Sequence, residues 1–221
     1  MQAVSHPTLS RPTQSESAHG ALRVELYRCC ACQNITRFPR YNDPVKLLET
    51  RRGRCGEWAN CFCLLVRSIG FEVRWVRDWS DHVWAEVFSE KLKGWIHCDP
   101  CEEAWNKPLL YSCGWKKKLT YVIAFGRHGI VDVTRKYVPR WQETLRLRTQ
   151  VPETWLANVI CQLTTRILDQ LGEERELWKE RLALELETLS KIQGSRESEM
   201  AGLSGRVSGS QTWKEERGES G

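Results

Sequence analysis

The chain has 221 residues, 41% hydrophobic and 28% charged, enough for one sizeable core with flanking segments but too few for two full domains. Its longest apolar run, CFCLLV at 61–66, falls far short of the ~20 residues that cross a bilayer, and its first twenty residues lack the apolar stretch of a secretory signal. Neither a membrane span nor export is expected, and the net charge of +5 is dispersed among acids, apart from patches such as WKKK at 115–118, unlike a nucleic-acid footprint.

The expected compartment is the cytoplasm, or also the nucleus, where disulfides are rare. Ten cysteines there point to metal binding or cysteine chemistry.

In chain order, residues 1–20 are polar and unpatterned and read as a disordered arm. Residues 21–28 read as a strand leading into CCAC at 29–32, with a loop after it. DPVKLLET at 43–50 predicts a short helix capped by Asp43, with Pro44 in its first position. A second helix is predicted over 55–69, where Trp58, Phe62, Leu65, Val66 and Ile69 share a face and Gly70 supplies the stop. Beyond Gly70 the period falls to two. The segments FEVRWVRDW (71–79), HVWAEVFS (82–89), GWIHCD (94–99), TYVIAF (120–125) and IVDVT (130–134) read as strands. The helical period returns over 154–193, broken at Gly172, and the Gly-, Ser- and charge-rich segment 194–221 reads as a disordered tail. The expected fold class is α+β: a helix bearing Cys55 packed on an antiparallel sheet, with C-terminal helices.

GRCGEW at 53–58 places Cys55 at a helix start, where the helix dipole and free N–H groups favour a thiolate. Read alone, Cys55 is a small core residue, a metal ligand or a nucleophile. A nucleophile needs an oriented base. Strand alternation puts His82, Trp84 and Glu86 on one face, and Trp95, His97 and Asp99 on one face. A hairpin loop at 89–92 would set His82 directly opposite Asp99 and His97 opposite Trp84; a loop at 90–93 is the other choice. Cys55 would join the pair if the helix docked its N-terminus on that face.

RCGEWANCF, DHVWAEVF, WIHCDPCE, KPLLY, GWKKKLTYVIAF and IVDVTRKY, in this order over about 24–137, resemble the catalytic core of the cytoplasmic peptide:N-glycanases, transglutaminase-like (papain-like) amidases. The resemblance implies a Cys55–His82–Asp99 triad, spaced by 27 and 17 residues, that removes N-linked glycans from misfolded glycoproteins and leaves aspartate. It also implies that Trp84 and Glu86 grip the chitobiose part of a high-mannose glycan. By themselves these two residues read equally as a packed aromatic and a solvated carboxylate. Ubiquitin–proteasome shuttle factors are partners implied by the same resemblance.

The family carries a structural zinc on two CxxC pairs. Cys29 and Cys32 match the second pair, 23 residues before Cys55, whereas the first would precede Met1, so a partial zinc site is expected. Cys30, or Cys98 with Cys101, are formal substitutes for the missing ligands; Cys98 and Cys101 read otherwise as packing residues. The expected domains are a shortened catalytic core at 21–140, a helical connector at 141–193, and, in GLSGRVSGSQTWKEERGE, the start of a truncated mannose-binding (PAW) domain. Two rival readings are a non-catalytic transglutaminase-like scaffold, like those of DNA-repair proteins, and a protein-crosslinking transglutaminase.

Overall fold

The computed structural model describes residues 7–192, Arg196, Glu199 and 202–219. Its first part is ordered against expectation. Strand β1 (Thr8–Ser10) pairs antiparallel with β2 (Val24–Arg28) across helix α1 (Gln14–Ala18), and β2 pairs with β3 (Ile35–Pro39). Local polar bonds replace an apolar core here. Thr13 and Glu16 form a capping box, and Glu16 accepts from Arg37 of β3 at 2.7 Å. The expected loop after CCAC is strand β3.

Helix α2 (Pro44–Thr50) forms as predicted: the Asp43 carboxylate accepts from the Val45 N–H at 2.9 Å, and Pro44 stands in the first turn. Arg51, at φ 51°, reverses the chain. Helix α3 (Cys55–Ser68) follows.

The period-two segments build one antiparallel sheet from β4 (Val73–Asp78), β5 (His82–Ser89), β6 (Gly94–Asp99), β7 (Ala104–Trp105), β8 (Val122–Gly126) and β9 (Gly129–Asp132), in the order β7-β6-β5-β4-β8-β9. The β5–β6 loop is 90–93: Ser89 faces Gly94, Glu86 faces His97 and Ala85 faces Cys98. This corrects the register that set His82 directly opposite Asp99 and His97 opposite Trp84. Continued by one pair, the ladder sets Asp99 opposite Trp84, so His82 and Asp99 meet along a diagonal, which long side chains span.

The sheet's faces have different partners. Phe62, Cys63 and Val66 of α3 pack on Val73, Ala85, Val87 and Cys98. The opposite face, with Val76, Trp84, Val122 and Ala124, supports the main core with Tyr111, Trp115, Tyr137 and Trp141. Thus the body of α3 lies on the face opposite His82. The small side chains of Ala85 and Cys98 leave room for the helix.

Helices α4 (Thr134–Tyr137), α5 (Trp141–Leu147), α6 (Glu153–Leu168) and α7 (Arg175–Lys191) come next, with the predicted break at Gly172 in the left-handed conformation, φ 57°. The last two pack on the domain and do not lead away from it. Gly129 (φ 148°) lets α6 approach β9 so closely that a Cβ there would lie 2.7 Å from Thr164 Cγ2. Arg74 of β4 donates to Glu185 of α7 at 2.5 and 3.0 Å. Part of the expected disordered tail is also built. Helix α8 (Gln211–Glu216) is capped by Ser210, and the Arg206 and Glu219 side chains are buried beside it and paired at 2.6 Å. The Arg206–Glu219 ion pair and the stacking of Arg206 on Trp213 offset a Gly- and Ser-rich composition; residues 194, 195, 197, 198, 200, 201, 220 and 221 of that tail lie outside the described residues.

Candidate active site

Cys55 stands in the first turn of α3, fixed from below and behind. Gly53 has to be small, since a Cβ would meet Glu57 Cβ at 2.8 Å. The Glu57 carboxylate turns back to accept from the Arg54 N–H at 2.7 Å. It also takes a forked bond from Arg40 at 2.7 and 3.0 Å, and Arg40 bonds Glu25 of β2 at 2.9 Å. The N-terminal sheet therefore holds the helix end that carries Cys55. Arg40→Ala leaves two largely buried carboxylates short of a partner and is expected to cost roughly 3 kcal/mol of stability, read as a lower urea midpoint at unchanged slope. A midpoint equal to the native one would show that the fork anchors nothing.

His82 opens β5, where its backbone N–H donates to Asp78 Oδ1 at 2.8 Å, while Lys117 bonds Asp78 Oδ2 at 3.0 Å. Its ring is fully buried, and Nε2 lies 2.7 Å from Asp99 Oδ2. Asp99 accepts also from the Tyr111 hydroxyl at 2.8 Å and from the Cys101 N–H at 2.9 Å. Behind Tyr111 stands His97, whose Nε2 lies 2.6 Å from the tyrosine oxygen and whose Nδ1 accepts from the Lys107 N–H at 3.2 Å. One proton pattern fits these bonds: His97 Nε2–H donates to Tyr111, Tyr111 donates to Asp99, and His82 Nε2–H donates to Asp99. Burial pushes the His97 pKa down to about 4, so it is neutral at pH 7 and serves as a strut for Tyr111.

The remaining ring nitrogen of His82, Nδ1, forms no hydrogen bond of ordinary geometry among the described residues. Cys55 meets this ring and also the Val83 N–H. Burial opposes the Cys55 thiolate, but His82, the Val83 N–H and the Arg206 charge outweigh it, holding the thiol below its ordinary pKa. Burial likewise opposes the His82 cation, and Asp99 with Cys55 overcome it, raising the imidazole to about 9. Asp99 stays ionised: His82 and Tyr111 override the cost of its burial. These shifts favour a thiolate–imidazolium pair backed by a carboxylate. A Cβ at Gly56, next to Cys55, would meet nothing within 4 Å, so the helix end is uncrowded there.

The structure brings Cys55, His82 and Asp99 together and sets the other candidates apart. Trp84 and Glu86 are fully buried. Trp84 stacks on Tyr111, with ring centroids 4.3 Å apart, and donates to the Tyr137 hydroxyl at 2.9 Å. Glu86 is saturated by Arg74 at 2.7 Å, Tyr137 at 2.8 Å and Lys136 at 2.5 Å. Although burial opposes its charge, these cations hold its pKa near 2. Neither residue offers a surface to a glycan, and both support the wall behind His82. That corrects the expectation of a sugar-gripping pair.

Cys29 and Cys32 face one another on the β2–β3 turn, where the Cys32 N–H, the Cys32 thiol and the Ala31 N–H lower the Cys29 pKa. Such a turn supplies two donors of a tetrahedral zinc site. Among the described residues, however, no group of three or more His, Cys, Asp or Glu side chains could hold a metal ion, so these residues do not complete a four-ligand site. Cys98 is buried under α3 with its thiol pushed up to about 12, and burial raises Cys101 as well, which makes both poor thiolate donors.

Tyr111 and Asp78 escaped the sequence reading, and so did Trp115, whose buried ring stands edge-on to His82 at 4.8 Å between centroids and whose Nε1 has no hydrogen-bond partner among the described residues; His97 was placed on the Asp99 face but not as a support for Tyr111. The signal for Tyr111 was its place in KPLLY; nothing local marked its reach to Asp99.

A helix-terminal thiol meeting a carboxylate-backed imidazole defines a site suited to nucleophilic acyl transfer. The profile of the transglutaminase-like superfamily matches residues 2–100, that of the Rad4 transglutaminase-like domain matches residues 79–189, and the chain belongs to the transglutaminase-like superfamily. Its relatives include proteins named peptide-N(4)-(N-acetyl-beta-glucosaminyl)asparagine amidase. The Gallus gallus protein is 49% identical over 210 residues, 95% of this chain and 32% of its own length. That of Arabidopsis thaliana is 46% identical over 214 residues, 96% and 30%, and that of Saccharomyces cerevisiae 44% over 219 residues, 95% and 59%. The chain thus spans about a third of the bird and plant relatives and somewhat over half of the yeast one.

Proposed function

We propose that this chain carries the catalytic core of a peptide-N(4)-(N-acetyl-beta-glucosaminyl)asparagine amidase that hydrolyses the bond between an N-glycan and its asparagine. The observation that carries the reading is the meeting of Cys55, His82 and Asp99 in a chain 44–49% identical to proteins of that name.

The Cys55 thiolate attacks the side-chain carbonyl carbon of the glycosylated asparagine. The first N–H groups of α3, which have no intrahelical acceptor, are donors for the oxygen that becomes negative. His82 gives its Nδ1 proton to the departing glycosylamine nitrogen as the C–N bond breaks, leaving a thioester on Cys55. It then takes a proton from water, whose oxygen attacks the thioester, and keeps that proton as the thiolate departs, so that the new carboxylic acid is released, ionises to aspartate in solvent, and the thiolate–imidazolium pair is restored. Asp99 keeps the ring oriented, and Tyr111 and His97 keep Asp99 in place.

Turnover requires Cys55 ionised and His82 protonated. Activity is therefore expected to rise as pH climbs through the lowered Cys55 pKa and to fall as pH passes about 9, where His82 loses its proton. An alkaline limb near the ordinary histidine value, about 6.5, would contradict the pair. The function itself is tested by incubating the chain with a denatured high-mannose glycoprotein: free glycan together with aspartate at the former glycosylation site supports it, and intact glycoprotein from a folded chain counts against it.

In the same reading the substrates are misfolded N-glycoproteins in the cytoplasm, ubiquitin–proteasome shuttle factors are partners, and Cys29 with Cys32 supply half of a structural zinc site apart from the chemistry at Cys55. The match to the Rad4 transglutaminase-like domain favours a second reading, a non-catalytic scaffold. It gives no reason for Cys55 to be activated, and the same assay separates the two.

A further inference from the structure

The described part of the C-terminal segment, 202–219, lies over the site and touches it at several points. The Arg206 guanidinium is sandwiched between Trp115 and Trp213, 4.5 and 4.4 Å from their ring centroids. Trp115 in turn stands edge-on to His82. Glu219, 2% exposed, accepts from Arg206 at 2.6 Å and from Arg217 at 3.1 Å, and lies 3.8 Å from Lys117, which holds Asp78 beneath the His82 backbone. The N–H groups of Val207 and Ser208 both donate to Glu102, at 2.7 and 3.1 Å, three residues beyond Asp99. Arg217 bonds the Ser80 carbonyl at 3.2 Å, in the turn that leads to His82. The fit is tight enough that a Cβ on Gly114, the residue before Trp115, would lie 2.3 Å from the Ser204 carbonyl oxygen.

These contacts reach both strands of the site. Glu102 follows the Asp99 strand, and Asp78, Ser80 and Trp115 bear on His82 from its backbone, its turn and its ring face. A buried guanidinium between two indoles combines cation–π attraction with a fixed planar shape, which an ammonium does not reproduce.

We propose that segment 202–219 is a wall of the active site and that Arg206 is its positioning residue: clamped between Trp115 and Trp213 and pinned by Glu219, it holds the Trp115 ring against His82 and brings a positive charge to the site. The proposal rests on the amidase reading for its effect on turnover, but not for its effect on the thiol. Arg206 is among the charges that favour the Cys55 thiolate, after those of His82 and the Val83 N–H.

The test uses the whole chain and three variants, each first checked for its near-UV circular dichroism. Two quantities are read: glycan release, and the pH midpoint for alkylation of Cys55 by iodoacetamide, followed on the Cys55 peptide by mass spectrometry. Arg206→Gln is expected to lower kcat about 10²-fold, the scale of an ångström of misplacement, and to move the alkylation midpoint upward. Arg206→Lys restores the midpoint, because the charge remains, but not kcat, because the sandwich is lost. Gly114→Ala displaces the segment without touching a charge near the thiol and is expected to reproduce both losses of Arg206→Gln. A purely structural role would reduce the folded fraction and leave the midpoint of the folded molecules where it was. If the native chain releases no glycan, an upward midpoint in Arg206→Gln still supports the positioning role, and only the amidase reading falls. A midpoint unmoved in folded Arg206→Gln, or full turnover in Gly114→Ala, overturns the proposal.

Discussion

Cys55→Ser is expected to slow glycan release at least about 10³-fold and to leave the fold intact. The hydroxyl is nearly isosteric, so the helix end held by Glu57 and Arg40 has no reason to move. What changes is ionisation. His82 and the Val83 N–H favour the anion of a thiol, whereas a serine hydroxyl starts many units higher and stays neutral, so attack would need concerted deprotonation by His82, which Asp99 still biases toward its protonated form. Single-turnover release measured beside circular dichroism checks this. A serine variant as fast as the native chain would remove Cys55 from the mechanism.

Asp99→Asn is the second large loss expected, about 10⁴-fold, the scale known for replacing the acid of a nucleophilic triad with its amide. Its effects compound. The amide no longer favours the His82 cation, and the Tyr111 hydroxyl loses a charged acceptor. As the His82 pKa falls, Cys55 loses the largest of the contributions that hold its thiolate. The variant should therefore be slow in glycan release and also slow in Cys55 alkylation near neutral pH. A loss in the first without the second would mean that Asp99 orients the ring without sustaining its charge.

Much of this site was legible in the sequence because each part rests on a local rule. Cys55 lies between Gly53 and Gly56 at a helical start, and alternation places His82 and Asp99 on compatible faces. The diagonal between them was not legible. Ser89 and the residues after it tolerate a turn in either frame, and Lys93 takes φ 50° where no glycine announced it. Which face α3 covers depends on how closely it approaches Ala85 and Cys98, a property of the assembled sheet.

Trp84 and Glu86 were misread for a related reason. On an isolated strand a glutamate looks solvated, and only the arrival of Arg74 and Lys136 from other elements makes its burial tolerable. The segment 202–219 hid behind its glycines and serines. Its order comes from Arg206, Trp213 and Glu219, spaced too far apart for any period to reveal.

The most direct test of the central claim, that Cys55 is a nucleophile activated by His82 and Asp99, is the pH dependence of its alkylation in the native chain. The account predicts an alkylation midpoint below the ordinary thiol value of about 8.5, moving up in Asp99→Asn. A Cys55 that titrates as an ordinary thiol, unchanged when Asp99 is replaced, would contradict it.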